Sequence, residues 1–451
     1  MPRHEKGELS MSTSIVVGII GIILAIVLMN VLIYKGLNVV LAAVLVTFVI
    51  ILTSGMPISD SWDTAVQGVG SLLAVLGPII MFGAVMGVLY TKSGAAAKLA
   101  NWLTKPFVNS ESVSKKIVGG LAMFLILRVI FGLAGIDNMA IMYTMLAIAA
   151  GIFAKLDIPR KYLNALLMIA GTVGTLVPGA PMQVAIMAEQ FIPGFDNSKS
   201  LVFRTLLLAI YVVGAVAIMY YLIMRDKKKG LHYEGGPLDF DESDLSHTPN
   251  VITTFIPVLI VYIFYNFVNL PAWFALLLGT LSAAALFGPY LPKENGKNRV
   301  LTIIDTMNGG VFLVPIAILF SMMPGFVMSS SPAYNVMIEG IGAIPIPAAI
   351  GMLIISVIIV GVAGNASPVL IGAVATATFI PAGLSPQAAG LILIASSVVL
   401  DTLPNSLGII TQCEITDCTM KECYPSIFRT TVLLTAIVAL ITALVAMTGI
   451  I

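Results

Sequence analysis

The chain has 451 residues, 59% of them hydrophobic and only 10% charged, with a formal net charge of +1. A soluble domain carries about 25% charged residues, so the composition excludes a soluble globular protein and indicates a polytopic helical membrane protein. No basic patch suggests nucleic acid, which leaves the lipid bilayer and a small solute as the expected partners.

In chain order, the first predicted span is residues 14–33, about 20 residues and hence roughly 30 Å of helix. A cleaved signal peptide is the other reading, because Arg3, His4 and Lys6 precede it. No small-x-small cleavage site follows, since Tyr34 and Lys35 lead into another apolar run, so the segment is read as a span. Further full spans are predicted at 38–53, 65–91, 201–224, 251–268, 271–289, 300–326 and 424–449.

Between them lie two composite regions, 93–193 and 331–416. Each opens with an amphipathic stretch (93–107 and 331–344), continues as two apolar arms meeting at a Gly-rich tip (132–138 and 361–368), and ends in a helix broken near its middle (177–183 and 401–407). The later copy follows the earlier by 226–229 residues: Gly361 matches Gly132, Pro386 matches Pro159 and Pro404 matches Pro178. The expected organisation is therefore a first half, 1–224, a polar linker, 225–250, read as a loose loop, and a second half, 251–451. With the broken helices counted, this makes about ten full spans plus two re-entrant hairpins.

The positive-inside rule orients this layout. If each arm pair enters and leaves on one side, eighteen of the 23 basic residues, including Lys115, Lys161, Lys227 and Lys421, fall on one face; Arg3, Lys6, Lys199 and Arg204 fall on the other. The first face is read as cytoplasmic, with the linker, and the second half runs inverted relative to the first. Two complete crossings per arm pair would satisfy the same charge parity, but short tips without basic residues favour hairpins. Paired interruptions in inverted halves mark the binding site of an alternating-access carrier.

Inside hydrocarbon an unpaired backbone group costs several kcal/mol, so each break must face protein or a watery cavity. Each break also creates helix starts. Ser367-Pro368 combines an N-cap with proline at the first helical position; Asp137, Asn138, Asn405 and Ser406 can cap starts in the same way, and another helix follows Pro181. Helix N-termini present free N–H groups and partial positive charge, which suits a small organic anion such as a carboxylate. The substrate-binding candidates are Arg128, Gly135, Asp137, Asn138, Pro178, Gly179, Gln183, Gly364, Asn365, Ser367, Pro404, Asn405 and Ser406. Single glycines such as Gly171 are read as helix packing.

Arg128, Asp137 and Asp401 are ionisable residues at membrane depth and hence functional candidates. Arg128 could reach a bound carboxylate or form a structural ion pair. Asp401 and Asp137 are the candidates for ion coupling, by proton or sodium, with helix capping as the alternative for Asp401. Glu189 and Glu414, near helix ends, are expected to be solvated. Thr172, Thr175, Ser396, Ser397 and Thr402 precede the breaks, where hydroxyls commonly bond their own helix carbonyls.

No cofactor or metal is expected. Cys413, Cys418 and Cys423 lie five residues apart, unlike zinc spacings, and are read as free thiols on the reducing side. The three histidines, His4, His232 and His247, lie in tails or loops, so neither a metal-dependent nor a serine-type intramembrane enzyme is expected. The lack of a Gly-x-x-x-x-Gly-Lys-Ser/Thr loop argues against nucleotide hydrolysis. A channel would need no inverted repeat.

At these residues the sequence resembles the gluconate permease family of the ion-transporter superfamily. The segment from Gly87 to Ala96 looks like that family's Gly-…-Ser-Gly-Ala-Ala stretch, and Ile158-Pro159-Arg160 is also similar. Pro178-Gly179-Ala180-Pro181-Met182-Gln183 is similar to its Pro-Gly-Thr-Pro-Gln break. Leu400-Asp401-Thr402-Leu403-Pro404, with the later segment from Thr416 to Tyr424, resembles its Asp-…-Leu-Pro-His motif and the Thr-His-Lys-Glu-…-Tyr that follows. Ala180 replaces the threonine, Met182 is inserted, and Asn405 stands where the histidine is expected. The resemblance, over about 65–445, implies proton-coupled symport of gluconate or a related hydroxy-carboxylate by an elevator mechanism. It also implies a homodimer in a bacterial-type cytoplasmic (inner) membrane. An inorganic-ion carrier of the same fold is the nearest alternative.

Overall fold

The structure, a computed structural model, describes residues 3–35, 37–108, 110, 112–136, 138–234, 247–292, 298–311, 319–342, 345–363, 367–403, 409, 412–413 and 416–451. All regular structure among them is helical. Six helical segments are long and apolar enough to cross a membrane: Ser14–Ile33, Ile58–Lys92, Val113–Leu133, Leu201–Lys227, Ala272–Tyr290 and Met420–Ala446. Large apolar side chains such as Ile20, Val202, Val213 and Ile252 lie exposed on helix surfaces, as residues facing lipid tails would.

The first half comprises α1 (Arg3–Tyr34), α2 (Val39–Thr53), α3 (Ile58–Lys92), α4 (Ala95–Val108), α5 (Val113–Leu133), α6 (Asn138–Leu156), α7 (Leu163–Leu176), α8 (Gln183–Phe191) and α9 (Leu201–Lys227). Then come α10 (Val251–Asn266), α11 (Ala272–Phe287), α12 (Arg299–Val311), α13 (Met323–Ser329), α14 (Pro332–Gly342), α15 (Ala348–Ala363), α16 (Ser367–Val374), α17 (Pro386–Ser396), α18 (Met420–Ile427) and α19 (Leu434–Ala446). Side chains set several starts: Asn38, Asn250 and Ser385 accept from Val40 N, Ile252 N and Ala388 N at 2.9, 3.2 and 3.0 Å, each satisfying an amide the helix leaves open.

The expected span 300–326 is corrected. The chain turns at Ser321–Met322, and α13 starts afresh with Pro324 in its first turn. Proline there continues no preceding helix but fits the start of a new one.

The two broken helices lie side by side and antiparallel. At one end, Thr416 Oγ1 donates to Asn164 Oδ1 (2.9 Å) and Arg160 Nη2 donates to Asp417 O (2.9 Å), so the start of α7 meets the chain after the second break. At the other end, Asp196 N donates to Gln387 Oε1 (3.1 Å) and Gln387 Nε2 donates to Asp196 O (3.1 Å), so the loop after α8 meets the start of α17. Packing partners also recur between halves: α5 packs on α7 and α9 as α15 packs on α17 and α19, and α3 packs on α6 as α13 packs on α16.

The linker's first part is docked rather than loose. Helix α9 runs on to Lys227, whose ammonium donates to Asp157 O (2.6 Å) and pairs with its carboxylate (2.9 Å). His232 Nδ1 contacts that carboxylate at 2.7 Å and Tyr233 N donates to it at 2.9 Å. Buried Asp226 pairs with Lys161, Arg225 and Lys229 and accepts from Tyr162 Oη.

Candidate functional site

In both halves the glycine that opens the tip packs against the residue at the start of the helix break. A Cβ on Gly132 would lie 2.7 Å from Val177 Cγ2, and one on Gly361 would lie 2.7 Å from Leu400 Cδ1. Val177 opens the first break and Leu400 immediately precedes Asp401, so the matched glycines do matched work: they let the tip backbone touch the break. Gly135, at φ +66°, brings the rest of the first tip against Pro181 of the break and Leu276 of α11. Only glycine adopts this left-handed backbone without strain.

The first break, 176–182, is buried throughout, as irregular backbone at membrane depth must be. Three of its carbonyls are bonded by side chains from three other segments. Arg204, buried in the first turn of α9, donates to Val177 O at 3.3 Å and to Asn197 O and Oδ1 at 2.8 and 2.6 Å. Asn197 Nδ2 donates to Ala180 O at 2.9 Å. Asn266, at the end of α10, donates to Gly179 O at 2.8 Å. Gly179 itself lies at φ +64°, and a side chain there would strike Asn266 Oδ1. Around this set, Glu189 accepts from Asn197 N at 2.9 Å and from Tyr265 Oη at 3.3 Å.

Arg204, counted with the outer-side charges, is buried and committed to the break. The reading of Glu189 is corrected: it is half-buried and hydrogen-bonded rather than freely solvated. Both carry polar groups into apolar surroundings, and their hydrogen bonds compensate: Arg204 donates to Val177 O and Asn197, and Glu189 accepts from Asn197 N and Tyr265 Oη.

Beyond the break, α8 starts at Gln183 with Met182 at its cap position and no side-chain cap. Its first-turn amides thus present donors and the positive end of the helix dipole. Gln183 is half-buried. Arg128 is 1% exposed, and its guanidinium lies against Gly174 of α7 and beside Gly132. A Cβ on Gly174 would collide with the guanidinium. The first half thus gathers Arg128, the 132–136 tip, Pro178, Gly179 and the start of α8 in one place.

In the second half, Ser367 is buried and leads α16, which packs on α8. Asn138 likewise leads α6. Asp401 retains accessible surface beside the second break, while its neighbour Thr402 is buried with Oγ1 2.6 Å from Thr431 Oγ1. Thr431 sits in the π-helical turn Phe428–Leu433, a distortion frequent at functional sites. Thr175, Ser396 and Ser397 donate to carbonyls of their own helices, as expected. Asp137, Gly364, Asn365, Pro404, Asn405, Ser406 and Glu414 lie outside the described residues.

Asn197, Asn266, Tyr265 and Gly174, and the part Arg204 plays at the break, escaped the sequence reading. The signals available were an arginine close inside the apolar helix after the break, and asparagines at the ends of two neighbouring segments.

Comparison with known proteins gives three likenesses. Residues 14–270 match the family described as GntP family permease. The uncharacterised transporter YxjC of Bacillus subtilis (strain 168) is 21% identical over 493 aligned positions, covering 95% of this chain and 99% of that protein. The crystal structure of the YdaH transporter of Alcanivorax borkumensis superposes with a TM-score of 0.56 at 13% identity, covering 86% of this chain and 88% of that one. That last likeness is one of fold.

Proposed function

This chain belongs to the GntP permease family and is a multi-pass membrane transporter rather than an enzyme; from that premise we propose that it is a secondary carrier importing gluconate or a related hydroxy- or short-chain carboxylate by proton symport. The observation that carries the anionic substrate is the polarity of the first break. Its carbonyl oxygens at Val177, Gly179 and Ala180 are occupied by Arg204, Asn266 and Asn197. The uncapped amides of α8 and the Arg128 guanidinium are electropositive features beside the tip. Donors held in low dielectric suit a carboxylate.

An inverted repeat with re-entrant hairpins is supported by the antiparallel broken helices and the matched tip–break contacts. In the first half, Gly132 stops level with Val177 while α8 adds about 14 Å of helix beyond the break. With paired halves of this kind, exchange of their conformations produces inward- and outward-open states in an elevator-type cycle. Asp401, beside the second break, is the coupling group of this reading, with Asp137 its counterpart in the first half. Gln183, Asn138, Ser367, Gly364, Asn365, Pro404, Asn405 and Ser406 complete the substrate site. The protein works as a homodimer in the cytoplasmic membrane, with the linker on the cytoplasmic face.

The test is uptake into proteoliposomes holding this protein alone. Labelled gluconate, lactate and 3-hydroxybutyrate are offered under an inward pH gradient and separately under a sodium gradient. Saturable accumulation of one acid driven by the pH gradient is expected. Accumulation under sodium alone would reassign the coupling ion, and no uptake of any carboxylate would overturn the substrate class.

A further inference from the structure

Three cysteines cluster where the two halves meet. Cys413, on the return arm that follows the second break (described at 412–413 and 416–418), has its Sγ 3.3 Å from the Sγ of Cys423 in the first turn of α18. Cys418 closes the loop between them by donating its N–H to Cys413 O at 3.1 Å. Asn164, in α7 of the first half, donates from Nδ2 to Cys413 Sγ at 3.6 Å while its Oδ1 accepts from Thr416 Oγ1. The return arm is therefore gripped on one face by the first broken helix and touches α18 through the paired thiols.

A disulfide needs its sulfurs about 2.05 Å apart, so side-chain rotation of a pair already in contact must close only the last part of the gap. We propose that Cys413 and Cys423 are a reversible dithiol switch, closing to a disulfide that fastens the return arm of the second break to α18 and slows transport. Low-molecular-weight disulfides such as glutathione disulfide are the oxidant class. The half-buried Cys413 loses its proton, and its thiolate attacks one sulfur of the oxidant, forming a mixed disulfide and releasing one thiol. Cys423, fully buried and in contact with it, loses its proton and attacks the Cys413 sulfur, expelling the second thiol. The pair thereby gives up two electrons and two protons, and the oxidant is reduced to two thiols. A disulfide here would close a loop of about ten residues, short enough to hold the arm in one position relative to α18.

The full-length protein in proteoliposomes would be treated with glutathione disulfide, then digested without reductant, with parallel samples restored by dithiothreitol. A Cys413–Cys423 cross-linked peptide is expected, together with a higher melting temperature and a several-fold fall in uptake of the transported acid, all reversed by reductant. Cys413→Ser and Cys423→Ser should each abolish all three changes, and Cys418→Ser should retain them. The proposal fails if the oxidised protein yields no 413–423 peptide, if Cys418 replaces either partner, or if the cross-link forms and uptake is unaltered. The peptide and melting readouts stand even where the substrate assignment is wrong, so the two failures are separable.

Discussion

Replacing Arg204 by methionine keeps most of the side-chain length but removes the donors that Arg204 gives to Val177 and Asn197. Arg204 makes two short bonds to Asn197 and a longer one to Val177 O, all buried. At the lower bound, three bonds at about 0.6 kcal/mol each, typical of membrane helices, come to about 2 kcal/mol. At the upper bound, removing one partner of a buried charged network costs about 3–5 kcal/mol, because the remaining groups are left unpaired. A loss of about 2–5 kcal/mol should appear as a large fall in the melting temperature of the detergent-solubilised protein. Uptake should fall about tenfold or more, since the break carries the site and small misplacements of a site are costly. Arg204→Lys keeps the charge without the two-pronged donor geometry and should recover part of the stability. Arg204→Met with unaltered melting and uptake would refute the assignment of Arg204 as the clamp of the break.

Gly174→Ala should displace the Arg128 guanidinium, the mobile end of its side chain; we expect a raised KM with little change in melting, and an unchanged KM would separate Arg128 from the substrate. Asp401→Asn should abolish pH-driven accumulation while leaving counterflow exchange, whereas retained uphill uptake would move coupling elsewhere. Burial alone would push the Asp157 carboxyl up, but hydrogen bonds from Tyr233 N, Lys227 and His232 outweigh it and hold the group well below the usual carboxylate range. A depressed carboxyl contributes stability above its unfolded value, about pH 4, and loses it as pH falls through the folded value. Protease nicking of the linker should thus be flat from about pH 5 to 8 and rise below about pH 4, while Asp157→Asn, compatible with the left-handed φ of +53°, should show the raised nicking at neutral pH. A cysteine placed within 235–246, on a background lacking the three native thiols, should resist impermeant reagents in intact cells; labelling from outside would reverse the orientation.

Much of the fold was legible because the relevant signals are local. Apolar runs of about 20 residues specify spans by length alone, and Gly/Pro/Asn clusters within them specify breaks whatever lies nearby. Hence α2, α3, α9, α10 and α11 fall close to their predicted positions, and the chain leaves helix between Leu176 and Gln183, where the first break is predicted. The exception, 300–326, failed because hydropathy does not register a turn: Met322, Met323 and Phe326 are apolar on both sides of Pro324, and only the proline hinted at a restart.

What the tertiary structure decided is who satisfies the break. The residues that do so are Arg204, Asn197 and Asn266, which lie 27, 17 and 87 residues from the carbonyls they serve. No periodicity or motif links positions so far apart. The requirement that buried carbonyls be paired is general and readable in advance. The choice of partners depends on how α9 and α10 dock against the break. For the same reason Arg204, an outer-side charge by position, became an interior clamp. Sequence determined that the chain crosses the membrane many times and breaks twice in matched places; packing alone decided which polar groups face the break and which face away.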